Sequence, residues 1–375
     1  MNIVVIGAYG NFGARLCRAL ARRADMRLIV AGRDLGQARQ FAGQLGGDAQ
    51  ALRLDVAQAD LAQALRDAGA QLVIHTAGPF APGDYAVALA AAAAGAHYVD
   101  LADNRRFVCD FSAATDAAFR RAGRLAITGA STVPALSSAV VDHLTEGWRG
   151  VASIDCCIAP AQSAPRGLAT LASVLSYCGA PIKVWQDGAW VVRYGWADRA
   201  PVAFRRLRPR AGALCDIPDL ELFPARYPGV RTVMFRAALE VGLGQAAFAL
   251  LATLRRKGLI ARPERFAKLM HVAGRGADFL GTRLGGMVVR VRGVDAAGAP
   301  AARAWHIAAD NDHGPEIPAM AAILLARRLA GGWGATGSHS CMGQLALAEF
   351  EPEFAKWGML TDIVEGNEAV GGNAP

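Results

Sequence analysis

Three glycines near the start of the chain have the spacing of a phosphate-binding turn. Gly7, Gly10 and Gly13 lie between the apolar run of residues 2–6 and an alanine-rich stretch. The first permits a tight turn, the second lets backbone approach a pyrophosphate, and the third lets helix and strand pack closely. The helix start would then direct free amides and its positive dipole end at the phosphates. The whole turn is predicted to bind a dinucleotide: Gly7, Ala8, Tyr9, Gly10, Asn11, Phe12 and Gly13.

The residues after the second predicted strand discriminate between the two pyridine nucleotides. An acidic residue at this place binds a ribose 2′-hydroxyl, whereas a cation accommodates a 2′-phosphate. Here Gly32 stands where the acid is expected, and Arg33 can pair with phosphate and stack on adenine. We therefore predict NADP. NAD stays open, because the adjacent Asp34 could neutralise Arg33 or bind the ribose itself.

Two further loops are predicted to line the same cofactor. Asp55 and Val56 follow the third predicted strand and would flank the adenine. The loop after the fourth strand would run past the cofactor toward the nicotinamide, and it consists of Ala77, Gly78, Pro79 and Phe80.

Candidates for proton transfer follow the fourth, fifth and sixth strands, because ligands of open parallel sheets lie outside the carboxyl ends of the strands. We favour Asp103 and Tyr98 as proton donors or relays, with Ser131 and Thr132 near the nicotinamide or substrate. Structural roles remain open. Tyr98 and Asp100 could satisfy buried hydrogen bonds, and a core position is favoured for His75. Arg105 and Arg106 could clamp a substrate carboxylate, although we favour ion pairs with nearby acidic residues on the surface for both.

A group of polar residues late in the chain invites a metal interpretation, which we reject. The group consists of His306, Asp310, Asp312, His313 and Glu316. Their spacing fits neither a helical HExxH motif nor a cysteine-rich zinc site. We predict no metal. His313 or Glu316 at a domain hinge could instead contact substrate.

The pattern around these residues predicts an α/β fold with two domains. In the first third, apolar strands alternate with helical stretches, which demands a doubly wound parallel sheet of the Rossmann type. Longer, hairpin-connected strands follow, at 153–159, 182–194, 287–294 and 303–309, and indicate an α+β domain with a mixed or antiparallel open-faced sheet. We predict a Rossmann domain at 1–135, a substrate or dimerisation domain at 136–311, and a carboxyl-terminal segment at 312–375 that returns to the first domain.

The chain resembles the saccharopine dehydrogenase-like NAD(P)-binding oxidoreductase family. The likeness rests on residues 7–13, 31–33, 75–80, 94–103 and 129–137, with the sequences GAYGNFG, AGR, HTAGPF, AGAHYVDLAD and GASTVPALS. It implies a Rossmann domain, a substrate domain with a mixed sheet, and hydride chemistry at a carbon–nitrogen or carbon–oxygen double bond. It does not imply saccharopine as the substrate, since many members share only the cofactor half.

Composition narrows the class of protein. Hydrophobic residues make up 53% of the 375 residues and charged residues 19%, which predicts a globular protein. The net charge of +8 is not accompanied by a nucleic-acid motif, so we expect a small-molecule substrate and no nucleic acid. Seven cysteines without CxxC spacing and the absence of a signal-peptide pattern favour the cytoplasm. The apolar run 241–254 is too short to span a bilayer and is predicted to be a buried helix, with interfacial membrane contact left open. Homodimer formation stays open.

Two functions fit this sequence. The first is an NADP-dependent oxidoreductase acting on a small keto, imine or amino-acid-like compound. The alternative is a non-catalytic NADP-binding sensor or scaffold, which would bind the cofactor without turnover.

Overall fold

The chain divides into two compact units in a computed structural model, which describes residues 1–165, 167–366 and 369. The first unit comprises Met1–Leu136 and Glu316–Leu345, and the second comprises Ser137–Pro315 and the segment from Ala346 onward. The predicted segment 312–375 is therefore divided between the units. The reason is that one of its strands, at 337–340, pairs with the first sheet, whereas another, at 360–365, pairs with the second.

The first unit is built on seven parallel strands. They are β1 (Asn2–Ile6), β2 (Arg27–Gly32), β3 (Gln50–Arg53), β4 (Leu72–His75), β5 (His97–Asp100), β6 (Leu125–Thr128) and β15 (Gly337–Ser340), in the order β15-β6-β5-β4-β1-β2-β3. The helices are α1 (Asn11–Leu20), α2 (Leu35–Leu45), α3 (Leu61–Asp67), α4 (Ala86–Ala93), α5 (Arg105–Ala122) and α11 (Ile317–Ala330). The strand order reverses between β1 and β4, which is where doubly wound sheets bind ligands. The predicted Rossmann-type fold is confirmed.

Apolar side chains determine the core of this unit. Ile3, Val4 and Val5 of β1 are completely buried, as are the apolar residues of β4. Continuous apolar runs are expected when helices cover both faces of a parallel sheet. Helix α5 begins at Arg105, because the Asn104 side chain caps it by accepting a hydrogen bond from the Phe107 amide at 3.1 Å.

The edge strand β15 was not predicted from the sequence. Its residues, Gly-Ser-His-Ser, carry no apolar side chain and so give no strand pattern. Side chains of α5 hold it instead: the Ser112 hydroxyl donates to the Ser338 carbonyl, and the Asp116 carboxylate accepts from the Ser338 amide, both at 2.8 Å. A polar strand is stable here because a neighbouring helix satisfies its polar groups.

The second unit contains a mixed sheet of nine strands. They are β7 (Gly150–Ala159), β8 (Pro181–Gln186), β9 (Ala189–Tyr194), β10 (Ala200–Val202), β11 (Arg210–Leu214), β12 (Thr232–Ala237), β13 (Gly285–Val294), β14 (Pro300–Ala309) and β16 (Leu360–Glu365). Its helices are α6 (Ser137–Leu144), α7 (Leu168–Ser176), α8 (Asp219–Arg226), α9 (Gly242–Arg256), α10 (Ala267–Gly276) and α12 (Leu347–Lys356). Strands β7 and β12 are parallel and the other pairs are antiparallel, so the predicted α+β domain with a mixed sheet is confirmed.

Helix α9 departs from the prediction that residues 241–254 form a buried helix. Only Gln245, Phe248 and Ala252 are buried, whereas Leu243 and Leu250 are exposed. The buried residues are spaced three and four apart and so occupy one face, on which Phe248 stacks against Trp196 with ring centroids 4.1 Å apart. Among the described residues, no helix combines the length and the apolarity that a membrane crossing requires.

Candidate cofactor site

The turn from β1 into α1 is held so tightly that only glycine fits at two of its positions. Gly7 has a φ of +80°, and its amide donates to the Ala31 carbonyl at 3.0 Å. A Cβ on Gly13 would lie 2.2 Å from the Gly7 carbonyl oxygen. The first turn of α1 therefore packs directly against the end of β1, as the glycine spacing predicts.

Thr76, which the sequence reasoning missed, fixes this turn from the end of β4. Its hydroxyl lies 2.9 Å from the Ile6 carbonyl and 3.1 Å from the Gly7 carbonyl, so that it donates to this pair of acceptors. A Cβ on Gly7 would come within 2.9 Å of the same hydroxyl. Thr76 lies directly between His75 and the predicted loop 77–80. Its position immediately after a strand could have identified it from the sequence.

The start of α1 is free to receive a phosphate. Gly10 caps the helix without a side-chain hydrogen bond, and the first turn contains no acidic residue. The Gly10 amide donates to the Gly7 carbonyl at 2.9 Å, whereas the amides of Asn11, Phe12 and Gly13 have no acceptor among the described residues. Those three amides can bind a ligand, and the positive end of the helix dipole favours an anionic one. Gly10, Asn11 and Phe12 are at least partly accessible, whereas Ala8 is buried. This glycine-lined cradle, which a Cβ would fill, fits a pyrophosphate.

The end of β2 is shaped by Tyr9. A Cβ on Gly32 would lie 2.4 Å from the Tyr9 hydroxyl oxygen, and this oxygen accepts a hydrogen bond from the Asp34 amide at 3.2 Å. Asp34 itself caps α2, because its carboxylate accepts from the Gln37 amide at 3.0 Å. These hydrogen bonds lower the pKa of the Asp34 carboxyl. Arg33 is exposed, and within the described part of the chain its side chain makes no ion pair.

The predicted adenine-flanking residues lie at the same edge of the sheet. The Leu54 amide donates to the Gly32 carbonyl at 2.9 Å, which places Asp55 and Val56 beside the end of β2. The Asp55 carboxylate accepts from the Ala57 amide at 3.1 Å and is otherwise exposed. The loop is therefore ordered by its own hydrogen bonds, with Val56 partly accessible.

The loop 77–80 packs over a buried histidine at the end of β4. The rings of Phe80 and His75 lie 4.9 Å apart, and His75 Nδ1 is 3.1 Å from the Tyr98 hydroxyl. Burial lowers the pKa of His75 to about 4, so the ring is neutral at physiological pH. Its Nε2 atom is buried and has no hydrogen-bond partner among the described residues. Within the same loop, Ala77, Gly78 and Pro79 are at least partly accessible.

Tyr98 and Asp100 lie in the core rather than at the surface of the site. The Tyr98 ring stacks on Phe111, and burial raises the pKa of its hydroxyl well above the usual value. Asp100 Oδ1 accepts from the Ala102 amide, the Thr128 hydroxyl and the Gly129 amide, at 2.8–2.9 Å. Burial raises the pKa of Asp100 to about 6. Asp100 thus ties the end of β5 to the end of β6, and the Tyr98 hydroxyl meets His75.

The remaining proton-transfer candidates follow adjacent strands. Asp103 is exposed in the loop after β5, directly before the capping residue of α5. Ser131 and Thr132 follow β6; the first is buried and the second is partly accessible. The Ala130 amide donates to the Asp100 carbonyl at 2.8 Å, so the two loops are neighbours. The sheet thereby brings Asp103, Ser131 and Thr132 to one edge.

Other predicted candidates have structural partners. Arg106 pairs with Asp110 at 3.2 Å on the exposed surface of α5, and Arg105 is buried at its start.

The residues that the sequence groups as metal candidates each bind a different partner. His306 accepts a hydrogen bond from the Arg205 amide, and Asp310 accepts one from the Asn311 amide. Asp312 pairs with Arg283, Glu316 pairs with Arg15, and His313 lies 2.9 Å from the Trp357 carbonyl. Over the described residues, no group of three or more potential ligands could hold a metal ion.

Known proteins resemble this chain in its cofactor domain and in its fold. Residues 3–127 match the family model described as the saccharopine dehydrogenase NADP binding domain. Apo saccharopine dehydrogenase (L-Glu forming) from Saccharomyces cerevisiae is 14% identical, with a TM-score of 0.71 over 97% of this chain and 99% of that one. Homospermidine synthase from Legionella pneumophila, in complex with NAD, is 9% identical, with a TM-score of 0.60 over 98% and 91%. No curated protein sequence matches the chain.

The structural likenesses establish the fold alone. Identities this low carry no information about chemistry. The family match covers the turn, the end of β2 and the loop after β4, and it supports an NAD(P)-dependent oxidoreductase. It confirms the predicted cofactor and the predicted resemblance for this part of the chain. What the comparisons show for residues 3–127 is thus a match to the saccharopine dehydrogenase NADP binding domain.

Proposed function

We propose that this protein is an NADP-dependent oxidoreductase that transfers a hydride to or from a small keto, imine or amino-acid-like substrate. The observation that carries the proposal is the cradle between Gly7 and Gly13, where the uncapped start of α1 lies directly on the end of β1. Backbone amides at such a helix start bind the pyrophosphate of a dinucleotide. The bound nicotinamide supplies the hydride, and the chain's own residues must bind, orient and manage protons.

Preference for NADP over NAD is supported by the division of roles among three neighbouring residues. Tyr9 fills the space above Gly32 in which a ribose-binding carboxylate would lie, and Asp34 is occupied as the cap of α2. Arg33 is left exposed and able to meet a phosphate. A guanidinium pairs with phosphate oxygens through bidentate, charge-assisted hydrogen bonds.

Proton management is assigned to the loops after β4, β5 and β6. Asp103 and Thr132 are accessible, and we propose that they contact the substrate together with Ser131. Tyr98 acts as a positioning residue, because its hydroxyl meets His75 Nδ1 and holds the ring that carries an unpartnered Nε2. Neutral His75 can donate or accept a hydrogen bond there without carrying a charge.

Binding of the two cofactors tests the cofactor assignment. By isothermal titration calorimetry, the unaltered protein should bind NADPH more tightly than NADH. Arg33→Ala should weaken NADPH binding by roughly 10- to 100-fold, since a charge-assisted hydrogen bond contributes about 1.5–3 kcal/mol, and should leave NADH binding unchanged. Arg39→Ala, at another exposed position on the adjoining helix, is the matched control. Equal affinities for both nucleotides would contradict the role of Arg33.

Turnover tests the assignment as an enzyme. The oxidation of NADPH is followed in the presence of keto acids and of imines formed from keto acids and amines. In the opposite direction, the reduction of NADP+ is followed in the presence of the amines saccharopine and homospermidine, after which the structural neighbours are named. Transfer of deuterium from labelled NADPH to one compound would identify the hydride acceptor. Tight binding of NADPH with no turnover across the panel would overturn the oxidoreductase and favour the sensor or scaffold.

A further inference from the structure

The second unit exposes an unusual number of large apolar side chains within one stretch of chain. Between residues 242 and 283, seven such side chains are 56–82% exposed: Leu243, Leu250, Leu259, Leu269, Val272, Phe279 and Leu280. Single exposed apolar residues are common on protein surfaces, whereas a concentration of them marks an interaction site. We call these seven residues, which are grouped by their position in the sequence, the apolar face.

Helix α10 and the turn after it present part of the apolar face as a stripe. Ala267 is buried, Met270 and His271 are partly buried, and all three point to one side of the helix. Leu269 and Val272 lie on the opposite side, and Phe279 follows in the short turn at Asp278–Leu280. Lys268 and Arg275, two helical turns apart, lie along one side of the stripe and are both exposed. Apolar residues bordered by long cationic side chains are typical of helices that lie in a membrane interface.

Helix α9 has the same design. Its buried face is formed by Gln245, Phe248 and Ala252. Leu243 and Leu250 occupy the opposite face, and Lys257, directly after the helix, continues that face as an exposed cation. The two helices therefore each combine a packed side with an apolar, cation-bordered side.

Positive charge is concentrated in the same stretch. Residues 242–283 contain eight arginines and lysines against two acidic residues, Glu264 and Asp278. The stretch therefore has a net charge of +6, whereas the whole chain has a net charge of +8. A surface with this balance is complementary to anionic headgroups.

We propose that the apolar face and its bordering cations dock this protein onto the surface of an anionic lipid bilayer. The leucine, valine and phenylalanine side chains would enter the boundary between headgroups and acyl chains, while Lys268 and Arg275 pair with lipid phosphates. A second copy of this chain is a poorer occupant. A symmetric dimer through this face would place each cation cluster against its own copy, which costs Coulomb energy.

Vesicle flotation with the full-length protein tests this proposal. The protein should float with vesicles of phosphatidylglycerol and phosphatidylcholine in equal parts, and should remain unbound with phosphatidylcholine alone. Arg265, two residues before α10, is a third exposed cation beside Lys268 and Arg275. The combined substitution Arg265→Gln, Lys268→Gln and Arg275→Gln should weaken binding by about 100-fold at low salt. The combined substitution Leu269→Ser, Val272→Ser and Phe279→Ser removes three apolar side chains and leaves the cations in place. It should abolish flotation.

Matched controls separate lipid binding from general surface effects. Val192→Ser removes an exposed apolar side chain of β9, and a charge control removes three exposed arginines of the first unit, with Arg22→Gln, Arg27→Gln and Arg121→Gln. Both controls should float like the unaltered protein. All variants should keep the circular dichroism spectrum and the NADPH affinity of the parent, which shows that they are folded.

Three results would overturn the proposal. The first is the absence of flotation with anionic vesicles. The second is equal flotation with neutral vesicles, or an equal loss in the control variants. The third is a dimer in sedimentation velocity that the serine variants dissociate, in the absence of lipid binding, because the occupant of the apolar face would then be a second copy.

Discussion

The ring of Tyr9 lies directly against the backbone of Gly32. A Cβ at Gly32 would come within 2.4 Å of the Tyr9 hydroxyl oxygen and 2.5 Å of a ring carbon. The Tyr9 hydroxyl also accepts a hydrogen bond from the Asp34 amide, so the ring is held from two sides. The first glycine-rich turn and the end of β2 thus form one surface, and a larger residue at either place must alter the other.

Replacement of Gly32 by alanine is expected to displace Tyr9. The added methyl group would overlap the ring, and overpacking of this kind costs about 1–3 kcal/mol of the free energy of unfolding. NADPH affinity should fall as well, and Tyr9→Ala in the same chain should restore stability. Urea unfolding and calorimetry measure these two effects. Gly43→Ala is the control: this glycine of α2 has open space around its Cβ, so alanine should stabilise by about 0.5–1 kcal/mol. Unchanged stability in Gly32→Ala would argue against the packing described.

Replacement of Asp34 by alanine separates its two conceivable roles. As the cap of α2 it should contribute about 1 kcal/mol to the free energy of unfolding. NADH affinity should not change, because the carboxylate is occupied by the Gln37 amide and side chain at 3.0 Å. Asp34→Ser keeps a capping oxygen and should recover most of the stability. A tenfold loss of NADH affinity in both variants would instead identify Asp34 as a ribose ligand.

Local patterns explain why the cofactor half of the fold could be predicted. The alternation of apolar strands and helices, and the glycines at 7, 10 and 13, depend on neighbours in sequence, and β1 covers the apolar run 2–6 that precedes the glycines. Accessible candidates such as Asp103 and Thr132 follow from the rule that sites lie at the carboxyl ends of strands. The burial of Tyr98 could not be read in this way, because it depends on Phe111 and Phe119 of a helix whose packing the sequence does not reveal.

Contacts between distant parts of the chain were beyond sequence reasoning. Ser338 of the polar strand β15 is satisfied by Thr115 and Asp116 of α5, which lie more than two hundred residues earlier. Glu316, considered for a hinge or a metal, is instead the partner of Arg15 in α1. Neither pairing leaves a periodic signal, because hydrogen bonds and ion pairs depend on positions that only the folded chain brings together.

Loss of the Arg15–Glu316 ion pair should destabilise the first unit. Both side chains are largely buried, and Arg15 Nε already lacks a partner among the described residues. Glu316→Ala would leave the guanidinium uncompensated, at an expected cost of about 3 kcal/mol. Urea unfolding of Arg15→Ala, Glu316→Ala and the double variant should give a double-variant loss smaller than the sum. Asp110→Ala removes the exposed pair with Arg106 and should change stability by less than about 1 kcal/mol. Additive losses would show that the two groups do not interact energetically.

A buried carboxyl group at the start of α8 should make stability depend on pH. Asp219 is 1% exposed, and the polar side chain beside it is the buried Ser137 hydroxyl, which opposes part of the effect of burial on its pKa. Burial raises its pKa to about 7, from an ordinary value of 3.8. The folded state therefore holds this proton more tightly than the unfolded state. The resulting stabilisation is complete below pH ~4 and is lost as the pH rises toward 7.

Replacement of Asp219 by asparagine should remove this dependence. A shift of about three pKa units corresponds to roughly 4 kcal/mol. The free energy of unfolding of the parent, minus that of Asp219→Asn, should therefore fall by about this amount between pH 4 and pH 8. Asp295→Asn, in the turn between β13 and β14, controls for the loss of any single carboxylate. A difference for Asp219→Asn that is flat, or that rises with pH, would mean that the carboxyl group is ionised in the folded protein. Because the amide keeps the shape of the side chain, such a result could not be attributed to lost packing.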